Sequence, residues 1–598
     1  MVDVTGPIAF IVLTQAGEQL ARRLQTHLPS AIVYGLNARV TNCDVPIADV
    51  IGTVRQLFTA GTPIVGICAA GILVRAVAPL LTDKTTEPPV IALAEDASAV
   101  IPLLGGHRGG NRLAQQLATL CGGIAAITTA GDLAHGFSFD DLPEGWRFAD
   151  PKMAKSVMAA ALNNDLAIDG PAAWLPFPKN PQAKHRLILS EKIPATKTTA
   201  VLHPPLLAVG VGCERDALPK ELYDLVQKTL AEADLATGAV AVVVSIDVKA
   251  DETAVHRLAQ NLRVPARFFD AATLEKETPR LLNPSDVVFR EVGCHGVAEA
   301  AALAAAGPDS RLIVPKQKSA RCTVAVALAP APLVGRNIGQ AQGRLSIIGI
   351  GPGTALWRTP EATIALAQAE EIVGYGLYLD LLGDLIAGKP RHETSLGEEI
   401  GRVDKALSLA AMGRNVVLVS SGDAGIYGLA SLVFERMAHD NNPAWNRLNI
   451  SVLPGVSAMQ AAAARIGAPL GHDFCAISLS DLLTPWDVIA RRIEAAAAGD
   501  FVVALYNPRS QRRQGRFAAA QAILLNARPA TTPVILARNL GRADEKISVR
   551  SLGTLDPEEV DMLTLVLIGS STTQRHQLGQ YDIVFTPRGY AAKPAFEK

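Results

Sequence analysis

The residues best placed to do chemistry lie in short glycine turns, each after an apolar run that reads as a buried strand. The first is Arg344-Leu-Ser-Ile-Ile-Gly-Ile-Gly-Pro-Gly-Thr354, where Gly351 and Gly353 let a ligand approach the backbone. A dinucleotide fingerprint needs a third glycine opening a helix and an acid closing the next strand. Here Pro352 removes an N–H, position 354 is Thr, and Glu370 and Glu371 precede Ile372-Val373 instead of following it. The turn does not read as an NAD site. Further on, Val416 to Val419 runs into Ser420-Ser421-Gly422-Asp423-Ala424-Gly425-Ile426-Tyr427-Gly428, and Leu448 to Leu453 runs into Pro454-Gly455-Val456-Ser457-Ala458. Val502 to Leu505 meets Tyr506-Asn507-Pro508-Arg509-Ser510, and Leu563 to Ile568 meets Gly569-Ser570-Ser571. Open α/β sheets bind ligands beyond the carboxyl ends of their strands, so these turns are expected to converge on one small molecule.

A different chemistry is written upstream. Val100-Ile-Pro-Leu-Leu104 enters Gly105-Gly106-His107-Arg108-Gly109-Gly110-Asn111 and then a helical stretch from Arg112. Backbone N–H groups, the positive end of a helix and a cation meet there, which makes an anion-binding turn. It is not a Walker loop, because Gly-x-x-x-x-Gly-Lys-Ser/Thr is not found there. The bland alternative is a glycine-rich strand-to-helix connection carrying a solvated Arg.

Positioning these turns requires alternating strands and helices. Ile8 to Leu13, Thr14-Gln-Ala-Gly17 and a helical stretch from Glu18 to Leu28 form one such unit, and Pro63 to Cys68, Ala69-Ala70-Gly71 and a helix carrying Arg75 form another. Leu206 to Val211 and Val242 to Ile246 are further strands. The expected fold is α/β and multidomain: layered α/β domains with parallel strands, followed by a two-lobed α/β domain. Pro171 to Pro205 and Ala329 to Gln342 carry proline and no helical period, so they read as linkers. The resulting division is 1–131, a middle region and linker at 132–205, then 206–328, a linker at 329–342, and 343–598.

A chain of 598 residues is too long for a single core. Its 56 basic and 57 acidic residues give a net charge of −1, which disfavours nucleic acid and anionic membranes as partners. The 7 cysteines are scattered without a Cys-x-x-Cys pair, so neither a metal site nor a disulfide scaffold is expected. No targeting segment or membrane span is read, and a reducing cytoplasm fits.

The joint occurrence of Gly-x-Gly-Pro-Gly, Gly-Asp-x-x-x-Tyr-Gly and Pro-Gly-Val-Ser-Ala resembles the tetrapyrrole methylases, over roughly residues 344 to 598. Within them, Tyr506 to Ser510 with Arg512-Arg513, and Arg538-Asn-Leu-Gly-Arg542 with Glu545, look like the precorrin-3B C-17 methyltransferases, which contract the macrocycle as they methylate. The resemblance implies S-adenosylmethionine as cofactor. It places Gly351, Pro352, Gly353, Ser421, Gly422, Asp423, Ile426, Tyr427, Ser457, Ala458, Tyr506 and Asn507 around it. Asp423 also suits a helix N-cap. Arg509, Arg512, Arg513, Arg538 and Arg542 are candidates for the macrocycle's carboxylates, with a solvated basic face as the alternative. The implied partner is a tetrapyrrole, precorrin or cobalt-precorrin, any cobalt belonging to the substrate. A homodimer through the methylase part is implied too.

Upstream, Gly71 to Pro79, Asp83-Lys84 and Gly105 to Asn111, together with Leu206 to Asp216, Val242 to Glu252 and Gly293-Cys-His-Gly-Val-Ala-Glu299, are similar to the cobalt-precorrin-5A hydrolases. Those enzymes open a lactone on the tetrapyrrole and release acetaldehyde. The resemblance makes His107 the leading base and Arg108 an oxyanion or carboxylate partner. Lys249 and Glu252, with Asp247, rank behind, and Arg75 and Asn111 fall to the substrate. The family's Gly-Cys-Arg-Arg-Gly-Thr is replaced here by Gly212-Cys213-Glu214-Arg215-Asp216-Ala217, which weakens a catalytic claim for Cys213. Two alternatives stay open: an RNA or protein methyltransferase of the same fold, and an upstream half that binds tetrapyrrole without catalysis.

Overall fold

The computed structural model describes residues 8–28, 31–82, 87–129, 137–139, 142–171, 174–177, 180, 182–196, 199–386, 388–509 and 515–590, and leaves the side chains of His107 and Asp384 undescribed. The chain is a mixed α/β molecule with several separate sheets.

The first sheet has the order Val45–Ile47, Ile32–Leu36, Ala9–Val12, Ile64–Ile67, Val90–Leu93, Ala99–Leu104, Ile124–Ala125. Its opening strand is buried at all of Ala9 to Val12, as expected for a sheet covered on both faces. The helix Gln15–Gln25 follows directly, capped by Thr14, whose side chain accepts from the Gly17 amide at 3.1 Å. The all-parallel expectation fails at Ala99–Leu104, which runs antiparallel to Val90–Leu93. Only Ala94 to Ser98 join the two, with the Ala94 amide donating to Ala99 O at 3.0 Å, and so short a turn has no room for a crossover helix.

The Pro171 to Pro205 stretch is not a free linker. Its strands His185–Leu189 and Ala200–His203 pair with Leu166–Asp169 and Arg147–Phe148 in a four-stranded sheet. Arg147 ties this sheet to the following block by donating to Leu262 O at 2.7 Å.

The next sheet has the order Ala266–Phe269, Val240–Ile246, Leu207–Cys213, Cys322–Leu328, Arg311–Lys318. It too is mixed, because the Ser319 to Arg321 turn brings Cys322–Leu328 back antiparallel. Ala329 to Gln342, read as a linker, packs onto this block, the Phe268 and Gln340 backbones exchanging two hydrogen bonds of 2.8 Å.

The downstream part holds two larger sheets. One has the order Arg391–Thr394, Glu371–Tyr375, Asn415–Ser420, Arg344–Gly349, Asn449–Leu453, all parallel. Alternate residues feed opposite faces: Leu345, Ile347, Val416 and Leu418 belong to one core, and Ile348, Val417 and Val419 to the other. The second has the order Phe474–Ser478, Val502–Tyr506, Thr564–Ile568, Pro533–Arg538, Lys546–Ser551 and mixes directions. Among the described residues no helix is long and apolar enough to cross a membrane.

Candidate functional site

Because the first downstream sheet is parallel, the adjacent strands ending at Ser420, Gly349 and Leu453 deliver their turns to one edge. The turns touch backbone to backbone. Gly351 N–H donates to Gly422 O at 3.1 Å, and Gly422 N–H donates to Gly351 O at 2.9 Å. A Cβ on Gly455 would lie 2.2 Å from Gly422 O, and one on Gly349 would lie 2.3 Å from the same oxygen. Gly422 itself, at φ +63°, faces open space, with Ala458 N the nearest atom at 3.9 Å from a Cβ built there. That leaves a shallow cradle between a left-handed glycine and the first amide of the helix Ala458–Ile466.

Asp423 is not a helix cap. Its Oδ1 accepts from Gly425 N at 2.8 Å and its Oδ2 from Gly455 N at 2.9 Å, so one carboxylate joins two of the turns. Ile426 N–H donates to Asp423 O at 3.3 Å within the same turn. Ser457 is the cap. It is 1% exposed and forms a reciprocal capping box with Gln460.

Two tyrosines couple this edge to the second sheet. Tyr427 sits at φ +52°, an unfavourable backbone for a bulky residue, and its hydroxyl donates to Ala476 O at 2.9 Å. Its ring lies 5.2 Å from that of Tyr506. The Tyr506 hydroxyl accepts from Met459 N at 3.2 Å, and burial raises its phenol above the usual range against the opposing bonds from Met459 and Ser457. Asn507, also left-handed at φ +50°, donates to Ser478 Oγ at 3.2 Å.

The Gly-Pro-Gly turn makes a second seam. A Cβ on Gly353 would lie 2.5 Å from Leu540 O, so this glycine answers to the Asn539–Gly541 loop packed against it. Gly541 N–H donates to Glu545 Oε2 at 2.6 Å, Arg465 Nε donates to Glu545 Oε1 at 2.7 Å, and the Arg465 guanidinium lies 4.6 Å from the centre of the Trp357 ring. Pro352 is buried in the turn.

Sequence reasoning missed Tyr378. Its phenol is raised first by burial and is lowered in part by the nearby Arg542 and Arg402 charges and by the Ser421 hydroxyl. The aromatic pair Tyr375 and Tyr378 around Gly376, straight after a strand, was the available signal. Arg402, 4% exposed, donates to Thr394 Oγ1 at 2.6 Å and Ser395 O at 2.8 Å.

The candidate arginines separate. Arg509 pairs with Glu558 at 2.6 Å, and Arg538 pairs with Asp561 at 2.8 Å and Asp544 at 3.3 Å. Those guanidiniums are neutralised by the protein itself. Arg542 pairs with no carboxylate among the described residues, and its buried Nε has no hydrogen-bond partner. Ser510, Arg512 and Arg513 lie outside the described residues. The Gly569 turn does not join the others: Thr564–Ile568 runs antiparallel to Val502–Tyr506, which puts its carboxyl end at the edge opposite Tyr506.

In the upstream half, Gly105 and Gly109 are left-handed, and the turn leads into the helix Gly110–Cys121. Because Ala99–Leu104 is reversed, the turn lies at the edge where Ile64–Ile67 and Val90–Leu93 begin, opposite the turn after Ile67. Arg108 donates to Glu87 O at 3.3 Å, and Asn111, 6% exposed, donates to Thr129 Oγ1 at 2.9 Å. Arg75 is exposed, 3.5 Å from Gly71 O. The His107 side chain and Asp83-Lys84 lie outside what is described.

Lys249 and Glu252 belong to the other block. Glu252, 3% exposed, lies 3.3 Å from Lys249 Nζ and 3.1 Å from Arg215 Nη1. Among the described residues no hydrogen bond or ion pair joins this trio to Arg108 or Asn111. Burial raises the Asp247 carboxyl. Burial, then the Glu252 charge, pushes the Cys213 thiol up to about 11, so it is protonated at neutral pH.

Comparison with known proteins finds matches in both halves. The family described as Tetrapyrrole (Corrin/Porphyrin) Methylases matches residues 344–556, Cobalamin synthesis G N-terminal matches 52–132, and Cobalamin synthesis G C-terminus matches 207–327. A precorrin-3B C(17)-methyltransferase of Sinorhizobium sp is 48% identical over 251 residues, 42% of this chain and 98% of that protein. A probable cobalt-factor III C(17)-methyltransferase of Salmonella typhimurium is 46% identical over 246 residues, 41% of this chain and 99% of that protein. The crystal structure of the methyltransferase CobJ aligns with 42% sequence identity and a TM-score of 0.39, covering 41% of this chain and 100% of that one.

Proposed function

Because the chain belongs to the tetrapyrrole (corrin/porphyrin) methylases over residues 344–556 and carries both cobalamin synthesis G segments ahead of them, we propose that it is a bifunctional enzyme of corrin-ring synthesis. Its downstream part methylates C-17 of a precorrin-3B-type tetrapyrrole with ring contraction, using S-adenosylmethionine. Its upstream part opens the lactone of a cobalt-precorrin-5A-type intermediate and releases acetaldehyde. The working division is 1–131 and 206–328 for the hydrolase, 132–205 between them, and 343–598 for the methylase.

The observation that carries the methylase reading is the cradle at Gly422. It fits the cofactor because a Cβ there would enter open space in front of Ala458 N, while Gly349 and Gly455 are glycines only to let the turns touch. S-adenosylmethionine, when bound, supplies an electrophilic sulfonium methyl. What the chain does is hold the acceptor carbon about 3 Å away and in line, and exclude water. A strong base is not required, because the tetrapyrrole carbon is already enamine-like. Asp423 keeps two turns in register through Gly425 and Gly455, Tyr427 and Tyr506 close the seam to the second sheet, and Arg542 is available to a macrocycle carboxylate.

Incubating the purified chain with S-adenosylmethionine and a precorrin-3B-type substrate, metal-free or cobalt-loaded, and following the mass, tests this. A product carrying one more methyl group is expected. Methyl transfer to RNA or protein with none to the macrocycle would overturn the reading.

The hydrolase reading is supported by the two cobalamin synthesis G segments. Acetaldehyde formation from a lactone-bearing cobalt-precorrin by the full chain tests it, and binding without release would make the upstream half a docking module. A dimer through the methylase part and a cytoplasmic location complete the proposal.

A further inference from the structure

The block spanning Leu207 to Leu328 holds a cavity of about 680 Å³, within the range of small-molecule sites. It opens where Leu207–Cys213 and Val240–Ile246 end, bounded by the hairpin turn at Ser319 to Arg321 and by the start of the helix Ala298–Ala306. Carboxyl ends of parallel strands are where such sheets seat ligands. Its walls carry Glu214, Glu291 and Glu299 beside five cations: Arg215 and Lys249 pair with Glu252 and Arg321 with Glu214, while Lys316 and Lys318 stand in no ion pair among the described residues and suit a carboxylate of the ligand.

One wall residue is built for proton transfer. His295 Nδ1 lies 2.9 Å from Glu275 Oε1 and 3.1 Å from Glu275 Oε2, and the His295 amide donates to the same carboxylate at 3.0 Å. A carboxylate only accepts, so in the neutral ring Nδ1 carries the proton and Nε2 keeps a lone pair. Phe289 stacks on the imidazole with centroids 4.4 Å apart, fixing its plane. Nε2 lies 3.6 Å from Asp286 Oδ1, on a side chain 94% exposed.

The other candidates in the cavity are committed elsewhere. Glu299 accepts from Leu282 N, Asn283 N, Asn283 Nδ2 and Lys316 N, which holds its carboxyl in the charged form against its burial. Cys213 is a protonated thiol. Lys249, with a side chain 16% exposed, gives one N–H to Glu252 Oε1 at 3.3 Å, and its ammonium has two further N–H groups to offer a ligand.

We infer that this cavity is the lactone-opening site, with His295 as its general base, Glu275 as the residue positioning that base, and Lys249 as the cation facing the acyl oxygen. The inference rests on the hydrolytic reading of the upstream half and moves its base from His107 to His295. His295 Nε2 takes a proton from water as the water oxygen bonds to the acyl carbon, and negative charge gathers on the acyl oxygen beside Lys249. The acyl carbon to ring oxygen bond then breaks with its electron pair on the ring oxygen. The imidazolium returns its proton there, leaving a carboxylic acid and an alcohol, with water the only co-reactant. Acetaldehyde leaves when that alcohol loses its O–H proton, its C–O bond becomes a carbonyl, and the bond from the same carbon to the macrocycle breaks with its electron pair and a proton going to the ring carbon.

The test measures acetaldehyde trapped as a hydrazone, using the full chain and a lactone-bearing cobalt-precorrin-5A-type substrate, with methyl transfer by the same preparation as the control for folding. His295→Gln is expected to lower kcat for release about 100-fold or more while methyl transfer is unchanged. Glu275→Gln is expected to lower kcat with KM nearly constant, and Glu275→Asp to recover part of the loss, a split that a packing role would not give. If His295→Gln is poorly folded, the Glu275 pair carries the decision. A full rate in both His295→Gln and Glu275→Gln overturns the site and leaves the hydrolytic reading standing. A wild-type chain that methylates but releases no acetaldehyde overturns that reading, and this inference with it.

Discussion

Asp423 Oδ2 accepts the Gly455 amide at 2.9 Å, so a single carboxylate holds the turn after Ser420 against the turn after Leu453. Its other oxygen is occupied by Gly425 N at 2.8 Å. The residue therefore shapes the cradle instead of filling it. Removing it leaves two amides without a charged acceptor, at about 1.5–3 kcal/mol for each such bond. Asp423→Ala is expected to raise the Kd for S-adenosylmethionine at least about tenfold and to lower the midpoint of thermal unfolding. Calorimetric titration and a melting curve check both. An unchanged Kd would remove Asp423 from the site.

The glycines of the cradle separate into two kinds by what a methyl group would meet. At Gly455 it would sit 2.2 Å from Gly422 O, so Gly455→Ala must push two strand-end turns apart, and loss of folded protein is expected. At Gly422 the space is open, and the cost is the left-handed backbone at φ +63°, about 1 kcal/mol for Ala. Gly422→Ala is expected to fold, with a small drop in denaturation midpoint, and to lose cofactor affinity more than tenfold because its methyl occupies the cradle. Urea unfolding beside ligand titration distinguishes the two.

How much of this was legible depended on whether the constraint was local. Gly351 and Gly422 declare themselves because a left-handed turn after a buried strand demands glycine, and the near-continuous apolar runs in Arg344–Gly349 and Asn415–Ser420 announce a doubly covered sheet. Gly353 was legible as a glycine but not in its reason, since Leu540 O approaches it from a distant loop. Strand direction was not legible either. The apolar run Thr564–Ile568 reads the same both ways, and only its antiparallel pairing shows that Gly569 points away from the site. The arginines failed similarly, because Glu558 and Asp561, which neutralise Arg509 and Arg538, lie far along the chain. His295 is not legible as a base from its motif, because Glu275 is 20 residues away and no spacing rule links them.

That separation of the arginines makes a prediction. Arg538 stands in a largely exposed pair with Asp561 and Asp544, and such pairs contribute roughly 0–1 kcal/mol. Arg538→Gln is expected to shift stability slightly and to leave the KM for the macrocycle nearly constant. Arg542 has no carboxylate partner among the described residues and lies near Tyr378, whose phenol also meets the Ser421 hydroxyl. Losing one charge-assisted bond to a substrate carboxylate costs about 1.5–3 kcal/mol, so Arg542→Gln is expected to raise that KM at least about tenfold. Steady-state kinetics with the macrocycle varied decides, and equal effects from both variants would return the two residues to the same role.

Three thiols, Cys322 buried and Cys68 and Cys213 half-buried, set a stability limit on the alkaline side. Burial pushes Cys68, Cys213 and Cys322 from 9.0 to about 11, helped by Glu95, Glu252 and Glu221 respectively. Each holds its proton more tightly folded than unfolded. Below pH 9 both states are protonated and the full contribution is present; as pH climbs from 9 towards 11 the unfolded chain ionises first, and stability falls. Urea unfolding at pH 8, 10 and 11 should show that decline, reduced in Cys213→Ala. At pH 8 the native chain should also alkylate at Cys213 far more slowly than an unfolded one, because the thiolate is the reactive form. Rapid labelling of Cys213 in the folded chain at pH 8 would mean that its thiol ionises readily, and would bring back a cysteine nucleophile for the cavity that His295 lines.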